Sequence, residues 1–198
     1  MFCVAVIYLF YSRIWIAEDH TYLTGAGKTG PDFTSQDNRI EVVLFFPSKR
    51  GDRLFPERRE IFDTRTNASK AKQVINELIA GPGDERLFSV LSPGVNIRNL
   101  YLSSDGTAYV DFSAEFIRDC PSGTTGELHT VYSVVNALTY NFFMISRVKI
   151  LVEGHELLTL KGHLDLRKAF SGNMSLVEWQ NDAGMATPVD KHENEDEP

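Results

Sequence analysis

The first half of the chain carries the hydrophobic patterns of two strands and a helix. Residues 40–46 are rich in β-branched and aromatic side chains and stop at Pro47, and residues 58–62 are predicted to return and pair with them. A helix capped by Asn67 is predicted to follow, and a Gly-Pro-Gly sequence at 81–83 ends it. Its apolar residues recur at helical spacing: Ala71, Val74, Ile75, Leu78 and Ile79.

The second half alternates strands with one long helix. Residues 95–102 and 107–112 have strand patterns, and the Asp-Gly pair at 105–106 favours a tight hairpin between them. A helix is predicted over 125–143 and a last strong strand over 148–152. The order is helix, strand, strand, helix, strand, with two strands in front. It predicts an α+β fold in which helices cover one face of a sheet.

An apolar run over residues 2–17 is interrupted by Ser12 and Arg13. As a helix, the run would span roughly 24 Å, against about 30 Å for the hydrocarbon core of a membrane. It lacks a preceding basic region and a following cleavage site, so an uncleaved anchor over 1–17 is favoured over a cleaved signal peptide. A buried helix of a soluble protein is the alternative. Residues 18–38, rich in Gly, Thr, Ser and Asp, are interpreted as a linker.

Charge is concentrated at the C-terminal end. The formal net charge is −7, and residues 180–198 contribute −5 from six acidic side chains and one lysine, which leaves −2 elsewhere. The chain before this tail is therefore close to neutral. It shows no continuous basic stripe, which argues against nucleic-acid binding. Residues 171–198 are predicted to form an acidic, disordered tail.

The side chains that could act as nucleophiles lack the patterns that such chemistry needs. Ser113, Ser122 and Ser133 are not part of a Gly-x-Ser-x-Gly elbow. The only feature that could lower the pKa of the Cys120 thiol is its position before the second helix. Cys3 lies in the apolar run, so no disulfide between Cys3 and Cys120 is expected. Zinc-ligand cysteine spacing and a phosphate-binding loop with its lysine are both absent from the sequence. We therefore predict neither an enzyme nor a cofactor.

Polar residues of the second helix have structural interpretations. Glu127 follows Thr124 by three positions, the spacing of a capping box in which the carboxylate accepts from the helix-start backbone N–H. General acid-base catalysis is the alternative for this carboxylate. His129 is expected on the helix surface, and Asn136 is expected to make hydrogen bonds coupled to packing.

One cluster in the sequence combines residue types that bind metals: Glu153, His155, Glu156, His163 and Asp165. Zinc accepts imidazole and carboxylate ligands, but the spacing matches no helical His-Glu motif. The alternative is a tight turn in which His163 and Asp165 satisfy backbone groups of the loop. We therefore predict no resident metal and keep Glu153, His155, His163 and Asp165 as weak candidates for its ligands.

Residues 148–169, VKILVEGHELLTLKGHLDLRKA, resemble the closing motif of the GerMN domain, a family named for a sporulation and germination protein. Glu127 and VNALT at 135–139 belong to the same pattern. Further matching motifs follow the family order: LFPERR at 54–59, LIAGP at 78–82, AYVDFS at 108–113 and EF at 115–116. The resemblance covers about residues 41–169 and places a single domain at 39–170.

This resemblance implies a core similar to the ring-building motif of bacterial secretion and sporulation machines, with N-terminal strands added. It also implies structural roles for the matching residues: Glu127, Asn136, Gly154, Gly162, His163 and Asp165. The chain departs from the family in carrying one copy where the founding protein has two, and in having Ala169 where proline is frequent.

Two functional hypotheses follow. The first is a non-catalytic assembly module, tethered to the bacterial cytoplasmic membrane by a single pass, with its domain on the outer side. Its partner would be another protein or a second copy, in sporulation, germination or envelope maintenance. The alternative is an envelope domain that binds a small ligand, a cell-wall glycan or a metal through the loop at 153–165.

Overall fold

The structure is a computed structural model that describes residues 38–49, 51 and 53–179. The chain divides into two compact units, residues 1–36 and 37–198, and the described residues belong to the second. The anchor predicted at 1–17, nearly all of the predicted linker and the tail from residue 180 lie outside the described residues.

A two-stranded antiparallel sheet opens the domain. Strand β1, Arg39–Pro47, pairs with β2, Leu54–Phe62, from Arg39 opposite Phe62 to Pro47 opposite Leu54. The sequence placed the start of β2 at residue 58, because Pro56 and the charged residues around it hide the strand pattern. Residues 42–46 of β1 are all buried, so this strand is covered on both faces.

The second sheet has four strands in the order β3-β4-β5-β6. They are β3 Ile97–Leu102, β4 Thr107–Phe112, β5 Arg147–Val152 and β6 Phe170–Ser171. The first and last pairs are antiparallel, and β4 pairs with β5 in parallel. The predicted hairpin joins β3 to β4, and Gly106 takes a φ of 81° that favours glycine.

The described part of the chain has three helices beside the sheets: α1 Asn67–Ala80, α2 Glu115–Arg118 and α3 Thr124–Asn141. Thr66 caps α1 by accepting a hydrogen bond of 3.1 Å from the backbone N–H of Ser69, so the predicted cap at Asn67 is wrong by one residue. The α1 helix ends at Gly81 as predicted. The short α2 helix was not predicted.

Helix α3 is the centre of the domain and is buried on nearly all sides. It contacts β1 of the first sheet, β5 and β6 of the second, and α1. Polar residues are buried along it together with apolar ones: Glu127, His129, Thr130, Ser133 and Asn136. The prediction that helices cover one face of one sheet is therefore incomplete, because α3 lies between two sheets. The mixed α+β class is confirmed, with a core order of α1, β3, β4, α3, β5.

The described part of the domain continues past residue 170, where the sequence analysis placed its end. After β6, a 3₁₀ turn covers Met174–Leu176, and Val177 is buried. The N–H of Glu178 donates to the carbonyl of Leu54 at 2.8 Å, next to the start of β2. The predicted boundary at 171 is therefore too early, because these residues pack against the first sheet.

Candidate functional site

Glu127 lies one turn inside α3 and joins this helix to the long loop between β5 and β6. Its side chain is fully buried. Oε2 accepts from the backbone N–H of Leu164 at 2.9 Å and of His163 at 3.2 Å, and Oε1 lies 2.6 Å from His163 Nδ1. The predicted capping box is wrong: Gly123 is the N-cap, and the Glu127 carboxylate points into the protein instead of back to the helix start.

The electrostatics of this junction favour an ionised carboxylate. Burial alone would raise the pKa of Glu127, but the hydrogen bonds from His163 and from backbone N–H groups of the loop outweigh burial and hold that pKa below its usual value. The imidazole of His163 is half exposed, with Nδ1 directed at Glu127. The pair is an oriented carboxylate and imidazole, an arrangement that also occurs in catalytic sites.

Cys120 does not supply a nucleophile for such chemistry. Its thiol is buried 3.4 Å from Thr130 Oγ1, and burial raises its pKa. The suggestion from the sequence that the position of Cys120 before the helix lowers the pKa of its thiol is therefore wrong, because the thiol lies in the core. A thiol with a raised pKa is protonated at neutral pH and reacts slowly.

The other potential metal ligands of the loop are held by separate partners. Glu153 accepts from the backbone N–H of Ala114 at 2.9 Å and pairs with Arg98. Glu156 pairs with Lys149 at 3.2 Å, and Asp165 pairs with Arg167 at 2.7 Å, which holds the pKa of Asp165 well below its usual range. His155 is exposed.

These contacts place no shared ion site in the loop. Across residues 38–49, 51 and 53–179, no three His, Cys, Asp or Glu side chains are positioned to hold a metal ion. The two glycines of the loop have a conformational role instead, since Gly154 has a φ of 77° and Gly162 a φ of 106°. A Cβ at either glycine would meet nothing within 4 Å, so backbone conformation rather than space selects glycine there.

Asn136 and Asn141 fasten α3 to segments distant in the sequence. The amide of Asn136 donates to the carbonyl of Asn173 at 3.0 Å and accepts from its N–H at 2.8 Å. Asn141 makes the same pair of contacts with Val43 of β1, at 2.7 and 2.8 Å. His129, expected on the helix surface, is buried because α3 is covered on that side as well.

The outer face of the four-stranded sheet, turned away from α3, is the surface that sequence reasoning missed. Lys149 of β5 is buried there, and its ammonium donates to the carbonyls of Leu166 at 3.2 Å and Arg167 at 2.7 Å. These bonds hold the loop over the β5 half of the face. The sequence signal for this surface is that the first and third residues of β4 and β5 are polar and lie on the side facing away from α3. These residues are Thr107, Tyr109, Arg147 and Lys149.

The β3 half of the same face remains open. Tyr101 of β3 and Tyr109 of β4 stand opposite each other, 64% and 37% exposed, with ring centroids 6.4 Å apart. β3 is also one of the two edge strands of the sheet. Beside the rings is a depression of about 270 Å³ that is lined by Ala169 and by seven charged or polar residues: Asp105, Thr107, Tyr109, Arg147, Lys149, Glu156 and Arg167.

Comparison with known proteins agrees with this architecture. The tandem GerMN domains of the sporulation protein GerM from Bacillus subtilis have a TM-score of 0.56 and 24% identity to this chain, covering 68% of it and 46% of that structure. The first GerMN domain of the same protein gives a TM-score of 0.52 and 25% identity, covering 67% of this chain and 97% of that domain. This chain thus spans about half of the tandem structure.

No curated protein matches the chain. A family model described as Germane, sporulation and spore germination, matches residues 43–158. That range is more than half of the sequence, and it contains the α1, β3, β4, α3, β5 core together with most of β1 and all of β2. The chain therefore belongs to the Germane family of sporulation and spore germination domains, the GerMN domains.

Proposed function

We propose that this protein is a non-catalytic assembly module of the bacterial envelope, and that it binds a protein partner or a second copy through the outer sheet face. The observation that carries the proposal is the open pair of Tyr101 and Tyr109 beside an edge strand. The complex would act in sporulation, in germination or in envelope maintenance. This part of the proposal rests on the resemblance of the core to the ring-building motif of bacterial secretion and sporulation machines.

The outer face has the composition of a protein interface. Tyrosine is enriched at the centres of interfaces, and polar groups form their rims. Here the two rings are flanked by Arg98 with Asp111 at one end and by Arg147 with Asp105 at the other. The free side of β3 could also accept a strand from a partner.

The buried polar groups of α3 support a role without catalysis. Glu127 already receives three hydrogen bonds from the loop, so its carboxylate holds the fold together and is not open to a substrate. Asn136 and Asn141 use their amides on backbone groups of Asn173 and Val43. These groups stabilise one arrangement of helix, sheets and loop, which is what an assembly module requires of its scaffold.

Tethering to the membrane is part of the same proposal. Within the described part of the chain, no helix is both long enough and apolar enough to cross a bilayer. The proposed anchor is the apolar run at 2–17, with the domain on the extracytoplasmic side.

The test compares complexes in the host cells between the wild type and a Tyr101→Ala, Tyr109→Ala double variant. We expect the double variant to lose the high-mass complex on gel filtration of detergent extracts. Asn76→Ala, an exposed change on α1, is the matched control and should keep it. Equal unfolding midpoints of the three proteins would show that folding is unaffected. A double variant that retains the complex would refute the outer face as the interface.

The depression beside Tyr109 favours ligand binding as the second candidate function. Three cationic side chains, Arg147, Lys149 and Arg167, line it together with two acidic ones, Asp105 and Glu156. The excess of one positive charge next to an aromatic ring could attract an acidic glycan or a small anion. Titration of the domain with soluble cell-wall fragments, comparing wild type with Arg147→Ala, tests this candidate. Saturable binding that the variant loses would support it, and no binding would leave assembly as the function.

A further inference from the structure

We propose that one end of the domain docks on an anionic lipid surface. The docking patch, here called the basic-aromatic end, consists of Phe62, Phe143, Met144, Arg39, Arg65 and Arg147. The proposal rests on the membrane tether in the proposed function and adds to it a second, direct contact between the folded domain and lipid.

Phe143 is the most exposed large apolar side chain of the described residues, at 95%. It stands on the turn between α3 and β5, next to Phe142, which is buried. The turn is fixed on both sides, because Ile145 N–H donates to Phe142 O at 2.8 Å and Ser146 N–H donates to Gly106 O at 2.9 Å. The fold therefore holds this ring in water, which is a costly place for an aromatic side chain without a role there.

Two further apolar side chains lie at the same end. Met144 is 38% exposed, and its sulfur lies 2.9 Å from the side-chain amide of Asn67 at the start of α1. Phe62, 46% exposed, ends β2 shortly before that helix begins. The contact between Met144 and Asn67 brings the turn with Phe143 next to the start of α1, which the connection after Phe62 leads into. These three side chains, the apolar group of this end, are few, whereas a stable protein interface has about 20 to 30 residues on each side.

Cationic side chains surround this apolar group. The guanidinium of Arg39 lies 4.4 Å above the ring of Phe62, and Arg65 is exposed in the β2–α1 connection. Arg147 begins β5, and Lys70 lies in the first turn of α1.

Asp63 pairs with Lys70, and Asp105 pairs with Arg147. The charges within each of these two pairs offset each other, so Arg39 and Arg65 supply the positive charge of the patch. Arginine and aromatic side chains together are typical of surfaces that sit in the headgroup region of an anionic membrane.

The place where the N-terminal segment joins the domain favours lipid over a protein as the binding partner of the patch. Arg39 starts β1 opposite Phe62, so residues 1–38 join the domain at the basic-aromatic end. The 21 residues from 18 to 38 can span at most about 75 Å. If residues 1–17 are inserted in a membrane, a linker of that length keeps these side chains within reach of the headgroups. The local concentration of lipid is then high enough for a small, weak patch to bind.

The experiment places a nitroxide at position 143 of the full-length chain in vesicles of phosphatidylcholine and phosphatidylglycerol. The labelled protein carries Cys3→Ser and Phe143→Cys. Cys120 is buried with a raised pKa, and the Cys3→Ser protein without an added cysteine checks that it stays unlabelled. A matched label at Leu158→Cys, which is 73% exposed and follows the other end of β5, is the control. Collisions with oxygen report lipid, and collisions with a water-soluble nickel chelate report water.

We expect the label at 143 to collide several-fold more with oxygen than with nickel, and the label at 158 to show the reverse. Equal nickel accessibility at the two positions, in a chain that floats with the vesicles, would overturn the docking and leave the tether intact. Protection of position 143 from both reagents would also overturn it, since a protein would then cover the patch. A chain that does not float would refute the tether, and the docking would fall with it.

Discussion

Replacing Glu127 with glutamine tests whether the junction between α3 and the β5–β6 loop stabilises the fold. The carboxylate receives three hydrogen bonds, from His163 N–H, Leu164 N–H and His163 Nδ1, at 2.6 to 3.2 Å. A hydrogen bond to a charged group contributes roughly 1 kcal/mol more than a neutral one. Since the pKa of Glu127 is lowered despite burial, these bonds outweigh the desolvation of the charge. We therefore expect Glu127→Gln to cost about 2 kcal/mol of folding free energy.

The assay is urea unfolding of residues 37–198 followed by tryptophan fluorescence. Trp179 is the sole tryptophan in that range and packs against Phe45 and Tyr140, with ring centroids 6.1 and 5.7 Å apart. Because Phe45 belongs to β1 and Tyr140 to α3, the fluorescence of Trp179 reports the loss of packing between the first sheet and this helix. His163→Ala is made in the wild type and in Glu127→Gln. The substitution removes the imidazole, so the remaining effect of Glu127→Gln measures the contribution of the backbone N–H groups.

The pH dependence of the same difference provides an independent check. A carboxylate whose pKa is lowered by folding stabilises the protein fully above its usual value of 4.5, and that contribution is lost as pH falls through the lowered pKa. Glutamine does not titrate, so the stability of the wild type should approach that of Glu127→Gln in acid. A cost of less than about 0.5 kcal/mol, or a difference that does not shrink in acid, would refute the reasoning.

Three further predictions concern other contacts of the domain. Asn136→Ala should cost about 2 kcal/mol because it removes two hydrogen bonds to the partly buried backbone of Asn173, whereas exposed Asn76→Ala should change the unfolding free energy by less than about 0.5 kcal/mol. Lys149→Ala should release the loop from the sheet and speed proteolytic cleavage between residues 153 and 169. An unchanged cleavage rate would contradict the claim that the Lys149 ammonium holds the loop in place. Cys120 should react with a thiol reagent at pH 8 far more slowly in the folded domain than in urea, because burial raises its pKa.

Elements with a strong local pattern were predictable from the sequence. Helix α1 buries one face, so Ala71, Val74 and Leu78 appear at helical spacing and glycine marks the end. Strands β4 and β5 likewise show β-rich patterns, in which polar and apolar residues alternate over most of the strand. The start of β2 was missed because Pro56 lies in a strand that pairs on one side with β1.

The tertiary role of α3 could not be predicted from local patterns. Glu127, His129 and Asn136 look like surface or capping residues in a helix that is otherwise apolar. Their burial depends on partners far along the chain, such as His163, 36 residues from Glu127, and Asn173, 37 residues from Asn136. Spacing alone does not show which loop returns to a helix. The family resemblance marked Glu127, Asn136 and His163 as structural residues without showing what they contact.

The open outer face could be predicted only in part. Alternation in β4 places Tyr109 and Asp111 opposite Val110 and Phe112, so the sequence shows which residues share a face. It does not show that the loop covers the β5 half while leaving Tyr101 exposed, because Lys149 resembles an ordinary surface lysine until its bonds to Leu166 and Arg167 are known.

Site-specific photo-crosslinking in the host cells tests the central claim most directly. A photoreactive amino acid replaces Tyr101 on the outer face in one strain and Asn76 on exposed α1 in another. The account predicts discrete adducts, with a partner protein or a second copy, from position 101 and none from position 76. The absence of adducts at position 101, with the protein expressed and folded at normal levels, would contradict assembly through the outer sheet face.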